Sequence, residues 1–145
     1  MSINTLNPLF FKIEDENGNK LNFIPIRKKQ KTMITIKCNL FVDDKSISMM
    51  KEFRLNRIYL NASYKNTYII AHQFVDIPIE KMELTNYLDV GFTFEVPYSI
   101  SKNKKIDSVD ITLAYSPKPE GEAGISESIR IGTFLKTTIP TSEVD

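Results

Sequence analysis

The side chains that could carry out chemistry are few in this sequence. It has one histidine, His72, and one cysteine, Cys38, so a Ser-His-Asp triad has one possible base and a zinc site lacks most of its usual ligands. His72 alternates with Ile70 and Phe74, and Cys38 lies on the apolar side of an alternating run. Both are predicted to be packing residues. We therefore expect a protein that is not an enzyme, with no catalytic residue, no metal site and no cofactor.

Acidic residues are numerous, but their spacing selects no site. Asp15, Asn17 and Gly18 fail the calcium-loop pattern because the glycine comes too early. The chain has only five glycines and contains no GxGxxG, GxxxxGK[ST] or GxSxG motif, so nucleotide-dependent chemistry is not expected. A glycosidase-type pair of acids stays open, although nothing selects two of the eighteen acidic side chains.

Two basic runs are the candidate interaction residues. With 19 basic and 18 acidic residues the net charge is +1, so no overall field attracts nucleic acid or an anionic membrane. Locally, the runs could contact phosphates or an acidic protein surface; the simpler interpretation is solvated lysines that protect a strand edge. The predicted interaction residues are Arg27, Lys28, Lys29 and Lys31 in the first run and Lys102, Lys104 and Lys105 in the second.

Six tyrosines leave a second kind of binding site open. Their amphipathic rings suit wet binding faces, and they could form a sugar-stacking platform, although the chain has no tryptophan. Most of them fall in strand patterns, which favours packing. The tyrosines are Tyr59, Tyr64, Tyr68, Tyr87, Tyr98 and Tyr115.

The elements that must position these residues are mostly strands. Apolar side chains alternate with polar ones over 34–42, 90–96 and 109–115, and less regularly over 9–13, 21–23, 53–59, 68–74 and 129–135. Asn17-Gly18 predicts a hairpin turn with positive φ at both residues, and 61–66 predicts a second turn. Residues 46–54 and 79–88 could be short helices. The pattern predicts an all-β protein, an antiparallel β-sandwich or jelly roll of about eight strands, and we favour the sandwich.

The chain is expected to form a single domain over residues 1–145. Hydrophobic residues make up 41% and charged residues 26%, as in ordinary globular domains. Short arms are predicted at 1–8 and 137–145, and a polar loop at 116–128. We expect neither a signal peptide nor a transmembrane segment, and a location in a virion if the protein is viral, otherwise in the cytoplasm.

The sequence favours a structural role over catalysis. We expect an assembly module, such as a capsid decoration, head or tail component of a phage or virus, that contacts other copies or other subunits through strand edges and exchanged arms. Deletion of either arm would then weaken assembly and leave the fold intact. The alternative is a carbohydrate-binding or receptor-binding sandwich. A membrane partner is not expected, nucleic acid is disfavoured, and no segment carries a motif specific to a known family.

Overall fold

The computed structural model describes residues 6–101, 104–118 and 132–145, and in this part of the chain two β-sheets pack face to face. The predicted all-β sandwich is therefore confirmed. The two helices, each of seven residues, are α1 (Asp44–Met50) and α2 (Ile79–Thr85). The strands are β1 (Leu6–Asp15), β2 (Lys20–Leu21), β3 (Ile24–Ile26), β4 (Lys31–Val42), β5 (Leu55–Tyr64), β6 (Tyr68–Asp76), β7 (Tyr87–Pro97), β8 (Ser99–Ser101), β9 (Lys104–Lys105), β10 (Ser108–Lys118) and β11 (Thr133–Glu143).

The strand order defines two main sheets. Sheet I runs β2-β1-β4-β7, sheet II runs β3-β11-β10-β5-β6, and β8 and β9 form a separate small ribbon. Neighbouring strands are antiparallel, except that β3 runs parallel to β11.

Alternating side chains of both sheets form the core. On β7, every second residue from Leu88 to Val96 is buried while the residues between them are exposed. On β4 every second residue from Ile34 to Val42 is also buried, and the residues between them are half-buried or exposed. Sheet II, the other layer, supplies Ile58 and Leu60 from β5 and further apolar side chains from β10. Because full burial of one such side chain contributes about 1.5–3 kcal/mol, this shared layer holds the sheets together.

Both helices lie where the sequence predicts them, and both are shorter. Asp43 caps α1. Its Oδ1 accepts one hydrogen bond from the Ser46 backbone N–H at 2.8 Å and another from the Ser46 hydroxyl at 2.7 Å. Helix α2 ends at Asn86, which adopts the left-handed conformation at φ 64°. No helix of the described residues is long and apolar enough to cross a membrane.

The two predicted turns differ in detail from the structure. At the first, Gly18 alone has positive φ (82°), and its N–H donates to the Asp15 oxygen at 3.1 Å, so the expectation of positive φ at Asn17 is wrong. The second turn comes later than expected, because β5 continues to Tyr64. There Lys65 and Asn66 both have positive φ, which is the type I′ geometry expected of a tight hairpin.

The predicted arms lie partly in strands. Residues 1–5 are outside the described part of the chain, whereas Leu6, Asn7 and Pro8 pair with the end of β4. Residues 137–143 belong to β11, which pairs with β10 and with β3. The predicted polar loop begins inside β10, and its residues 119–128 lie outside the described residues. The described arm residues are thus part of the sheets that enclose the core.

Candidate interaction surfaces

The two predicted basic runs come together at one end of the sandwich, although they are far apart in sequence. Arg27 follows β3, and its Nε donates to the backbone oxygen of Asp145 at 3.3 Å. Lys105 of β9 donates to Glu143 Oε2 at 3.4 Å. The pKa of Glu143 is lowered, chiefly by a hydrogen bond from Tyr98 and further by Lys105 and the nearby Lys28. The parallel pairing of β3 with β11 creates this meeting point.

Carboxylates offset part of the positive charge at this end. Lys31 lies 3.8 Å from Glu95, in addition to the contacts of Arg27 and Lys105. Lys28, Lys29 and Lys104 are exposed, and Lys102 lies outside the described residues. This mixture of signs suits a contact with another protein better than a phosphate backbone, which needs a net positive surface. The interaction role of these residues stays a prediction.

Lys65 belongs to the same end and was missed by the sequence reasoning. It occupies the β5–β6 turn, its Nζ lies 5.2 Å from the centre of the Tyr64 ring, and Asp107 helps to raise its pKa after the larger effect of Tyr64. A single lysine in a turn gives no sequence signal. Only the strand register shows that it lies near the start of β10.

Cys38 and His72 have the packing positions that the sequence predicts. Cys38 is 2% exposed inside sheet I, and burial raises the pKa of its thiol to about 11. His72 lies on β6, with its ring centre 6.1 Å from that of Tyr59 and its Nδ1 3.5 Å from Asn61 Oδ1. Its Nε2 is buried without a hydrogen-bond partner among the described residues, and burial lowers the His72 pKa.

The unpartnered ring nitrogen predicts a pH-dependent stability. Because the folded-state pKa of His72 lies below the unfolded value of about 6.5, the unfolded chain takes up the proton first as the pH falls. We expect the free energy of unfolding to decrease as the pH falls through that value and to level off below the folded-state pKa. Urea denaturation of the wild type and of His72→Phe measures this pH dependence. The measurements run from about pH 7.5 to about pH 5, which brackets the ordinary pKa of histidine.

In His72→Phe, this component of the pH dependence should disappear while the ring packing on Tyr59 is retained. Lys31 and Glu95 line the same cleft as His72 and are present in both proteins. Equal slopes of stability against pH in both proteins would contradict the assignment.

Strands β6 and β7 form an open seam between the two sheets. Each is the last strand of its sheet, and they run side by side without a shared ladder in the described residues. The side-chain amide of Gln73 bridges them by donating to the backbone oxygen of Thr93 at 2.9 Å. A cleft of about 400 Å³ opens beside this bridge, between Tyr68 and Ile70 on one side and Glu95 and Pro97 on the other.

Strand β7 directs the backbone groups of alternate residues toward this seam. In an antiparallel ladder, successive residues direct their N–H and C=O groups to opposite sides. The oxygen of Thr93 faces away from β4, so the backbone groups of Asp89, Gly91 and Glu95 also face away from it. Before Pro97 this edge has no proline, no lysine and no bulge, which are the usual protections. By contrast, β1 has Pro8, Lys12 and a bulge.

The outer face of sheet I carries aromatic rings that the sequence pattern did not group. Phe41 and Tyr87 pair across β4 and β7 with ring centres 5.5 Å apart at 63°. Tyr87 is 54% exposed, and on the neighbouring strand Phe10 is 50% exposed. Leu84, at the end of α2, is exposed nearby in sequence. Such apolar exposure beside polar groups is typical of binding surfaces.

A hollow lies on the same face above Gly91, where β7 lacks a side chain. Its volume is about 320 Å³, and it is lined by Phe10, Lys12, Lys37, Cys38, Asp89, Val90 and Gly91. Beside it, the 8% exposed Glu14 accepts from Lys37 at 2.8 Å and from Lys12 at 3.0 Å. These hydrogen bonds lower the Glu14 pKa, that from Lys37 most. Asn39 donates to Asp89 Oδ1 at 2.5 Å.

No protein-family model matches this sequence, and the search of curated proteins found no match. The function of this protein is therefore inferred from its surfaces. Among the described residues, no group of three or more His, Cys, Asp and Glu side chains could hold a metal ion. The basic end, the β6–β7 seam and the sheet I face are the candidate interaction surfaces.

Proposed function

We propose that this protein is an assembly module that associates with neighbouring subunits, other copies of the same chain first, through the exposed edge of β7. The observation that carries the proposal is that β7 is eleven residues long, ends its sheet and has no lysine, no bulge and no proline before Pro97. An extended segment that pairs with such an edge gains main-chain hydrogen bonds without needing a specific motif. A phage or viral particle is the proposed setting, since a weak contact repeated in many copies gives a stable assembly.

The side chains of β7 indicate what the incoming strand should carry. Asp89 and Glu95 are exposed on this strand, and opposite charges across a strand pair are favourable whereas like charges are unfavourable. The preferred partner segment therefore places lysine, arginine or an uncharged residue opposite each of them. The basic end supplies such side chains to a neighbouring copy.

The variant Glu95→Pro tests the edge. Proline removes the N–H of residue 95, which faces away from β4, so it blocks strand addition while leaving the β4–β7 ladder bonded. Glu95→Ala is the matched control, because both variants lose the exposed contact with Lys31. We expect sedimentation velocity to show a mass that rises with concentration for the wild type and Glu95→Ala, and at least tenfold weaker association for Glu95→Pro.

Two results would count against the proposal. One is a wild-type chain that stays monomeric at every concentration. The other is equal association by the two variants when circular dichroism shows both to be folded.

A further inference from the structure

The hollow above Gly91 presents hydrogen-bonding groups of both kinds at its rim. Lys12 and Lys37 offer ammonium donors, while Asp89 retains a carboxylate oxygen that the hydrogen bond from Asn39 does not use. Existing contacts hold these groups in place, since Glu14 anchors both lysines and Asn39 anchors Asp89. Hydrogen bonds to ionised groups are stronger than those between neutral groups. A ligand whose polar groups both donate and accept can use the whole rim.

The charges of this rim cancel. Lys12 and Lys37 contribute two positive charges, and Glu14 and Asp89 contribute two negative ones. An anionic ligand would be attracted by the lysines and repelled by Asp89. A cationic ligand would be repelled by the lysines and attracted by Asp89. The geometry is thus complementary to an uncharged ligand with several hydroxyl groups.

Phe10 supplies an apolar wall beside these polar groups. Half of its surface is exposed, and the ring lines the hollow while the Lys12 Nζ lies 6.0 Å from the ring centre. A pyranose ring has one face of C–H groups and an edge of hydroxyls, so it can cover the Phe10 ring while its hydroxyls reach Asp89 and a lysine. Burial of apolar surface then contributes about 25 cal/mol per Å². The volume of about 320 Å³ is at the small end of ligand sites, which run to about 1,000 Å³.

We propose that the hollow formed by Phe10, Lys12, Lys37, Asp89 and Gly91 binds a neutral pyranose unit of a glycan. Gly91 leaves the space for the sugar ring, Phe10 stacks on its C–H face, and Asp89 with the lysines binds its hydroxyls. The site is on the outer face of sheet I; it shares the Asp89 side chain with the proposed assembly edge of β7 but does not use the backbone groups of that edge. The protein would thereby attach its subunits to a sugar-coated surface.

Gly91→Val is the decisive variant, because it fills the hollow without disturbing the sheet. A Cβ at residue 91 meets its nearest neighbours, Ile36 O and Lys37 Cγ, at 3.8 and 3.9 Å, which is ordinary contact. Valine also suits a strand. Glu95→Ala, on the same strand outside the hollow, is the control.

The binding is measured by titrating ¹⁵N-labelled protein with glucose, galactose, mannose and N-acetylglucosamine, and with glucuronate as the anionic comparison. We expect at least one neutral sugar to shift the amide resonances of Lys12, Lys37 and Gly91 with millimolar affinity, unchanged in Glu95→Ala and at least tenfold weaker in Gly91→Val. Asp89→Ala should weaken the same binding.

Three outcomes would overturn the proposal. No neutral sugar shifts these amides, or only glucuronate does, or the shifts persist unchanged in Gly91→Val. If Gly91→Val instead weakens self-association while no sugar binds, the hollow is a protein contact. Because Glu95→Pro impairs the edge and leaves the hollow intact, failure of the assembly proposal and failure of the sugar site are separable.

Discussion

A chain that ends at Lys136, without residues 137–145, is expected to lose cooperative folding. The deleted part of β11 pairs with Ser108–Ile111 of β10 and, at its far end, with β3. Ile139 is 4% exposed, and Ile24 and Ile26 of β3 are fully buried in the register that β11 provides. Without these residues several core side chains become exposed, and each exposure costs about 1.5–3 kcal/mol of stability. The sum approaches the whole free energy of unfolding of a typical domain, which is about 5–15 kcal/mol.

This expectation replaces the sequence-based one, in which residues 137–145 were a removable arm. Thermal denaturation followed by circular dichroism, with amide-proton dispersion in NMR spectra, measures the loss. A chain lacking only Asp145 is the control, since it gives up the exposed 3.3 Å hydrogen bond from Arg27 and nothing in the core. A truncated chain that melts cooperatively within a few degrees of the full chain would refute the argument.

The strands that the sequence predicted best are those with one face fully buried. In β7 from Leu88 to Val96 and in β4 from Ile34 to Val42 the inward side chains are apolar and, apart from Phe41, the outward residues are polar or glycine, so the period of two in the sequence is also the pattern of burial. Strand β6 is harder, because as an edge strand it exposes Ile69 and Phe74 and contains a bulge opposite Ala62 and Ser63. Its irregular alternation follows from that position.

Strand β11 was partly mistaken for an arm because its side chains do not alternate. Three threonines and a proline follow Thr133 in this strand, and Ile139 is its one buried residue. What makes this segment a strand is its place between β10 and β3, a tertiary effect that local propensity does not contain.

The sheet I face could not be predicted, since it depends on the register of strands distant in sequence. Lys12 lies opposite Lys37, and Lys37 lies opposite Gly91, so three segments supply one hollow. The alternation over 90–96 indicated that Gly91 faces outward, and Tyr87 was one of the possible binding rings. It offered no means to align β1 with β4, where a bulge between Pro8 and Phe10 shifts the pairing.

Asn56→Ala is expected to destabilise the protein by about 2–5 kcal/mol, because it leaves two buried polar groups without partners. Asn56 is 5% exposed; its Nδ2 donates to the Met50 oxygen at 2.9 Å, and its Oδ1 accepts from the Tyr115 hydroxyl. Burial raises the pKa of Tyr115 well above its usual value, so this hydroxyl stays a donor. One side chain thus joins the end of α1 to β5 and β10.

A double-mutant cycle with Tyr115→Phe isolates this contact. Tyr115→Phe alone leaves the Asn56 side-chain oxygen without its hydrogen bond from Tyr115. In the double variant Asn56→Ala leaves no buried Tyr115 hydroxyl without a partner, because that hydroxyl is absent. The combined loss in the free energy of unfolding, measured by urea denaturation, should therefore be smaller than the sum of the single losses. Asn7→Ala, at an exposed position of β1, should stay within about 0.5 kcal/mol of the wild type. If Asn56→Ala cost no more than Asn7→Ala, the buried amide would not hold α1 against the sheet.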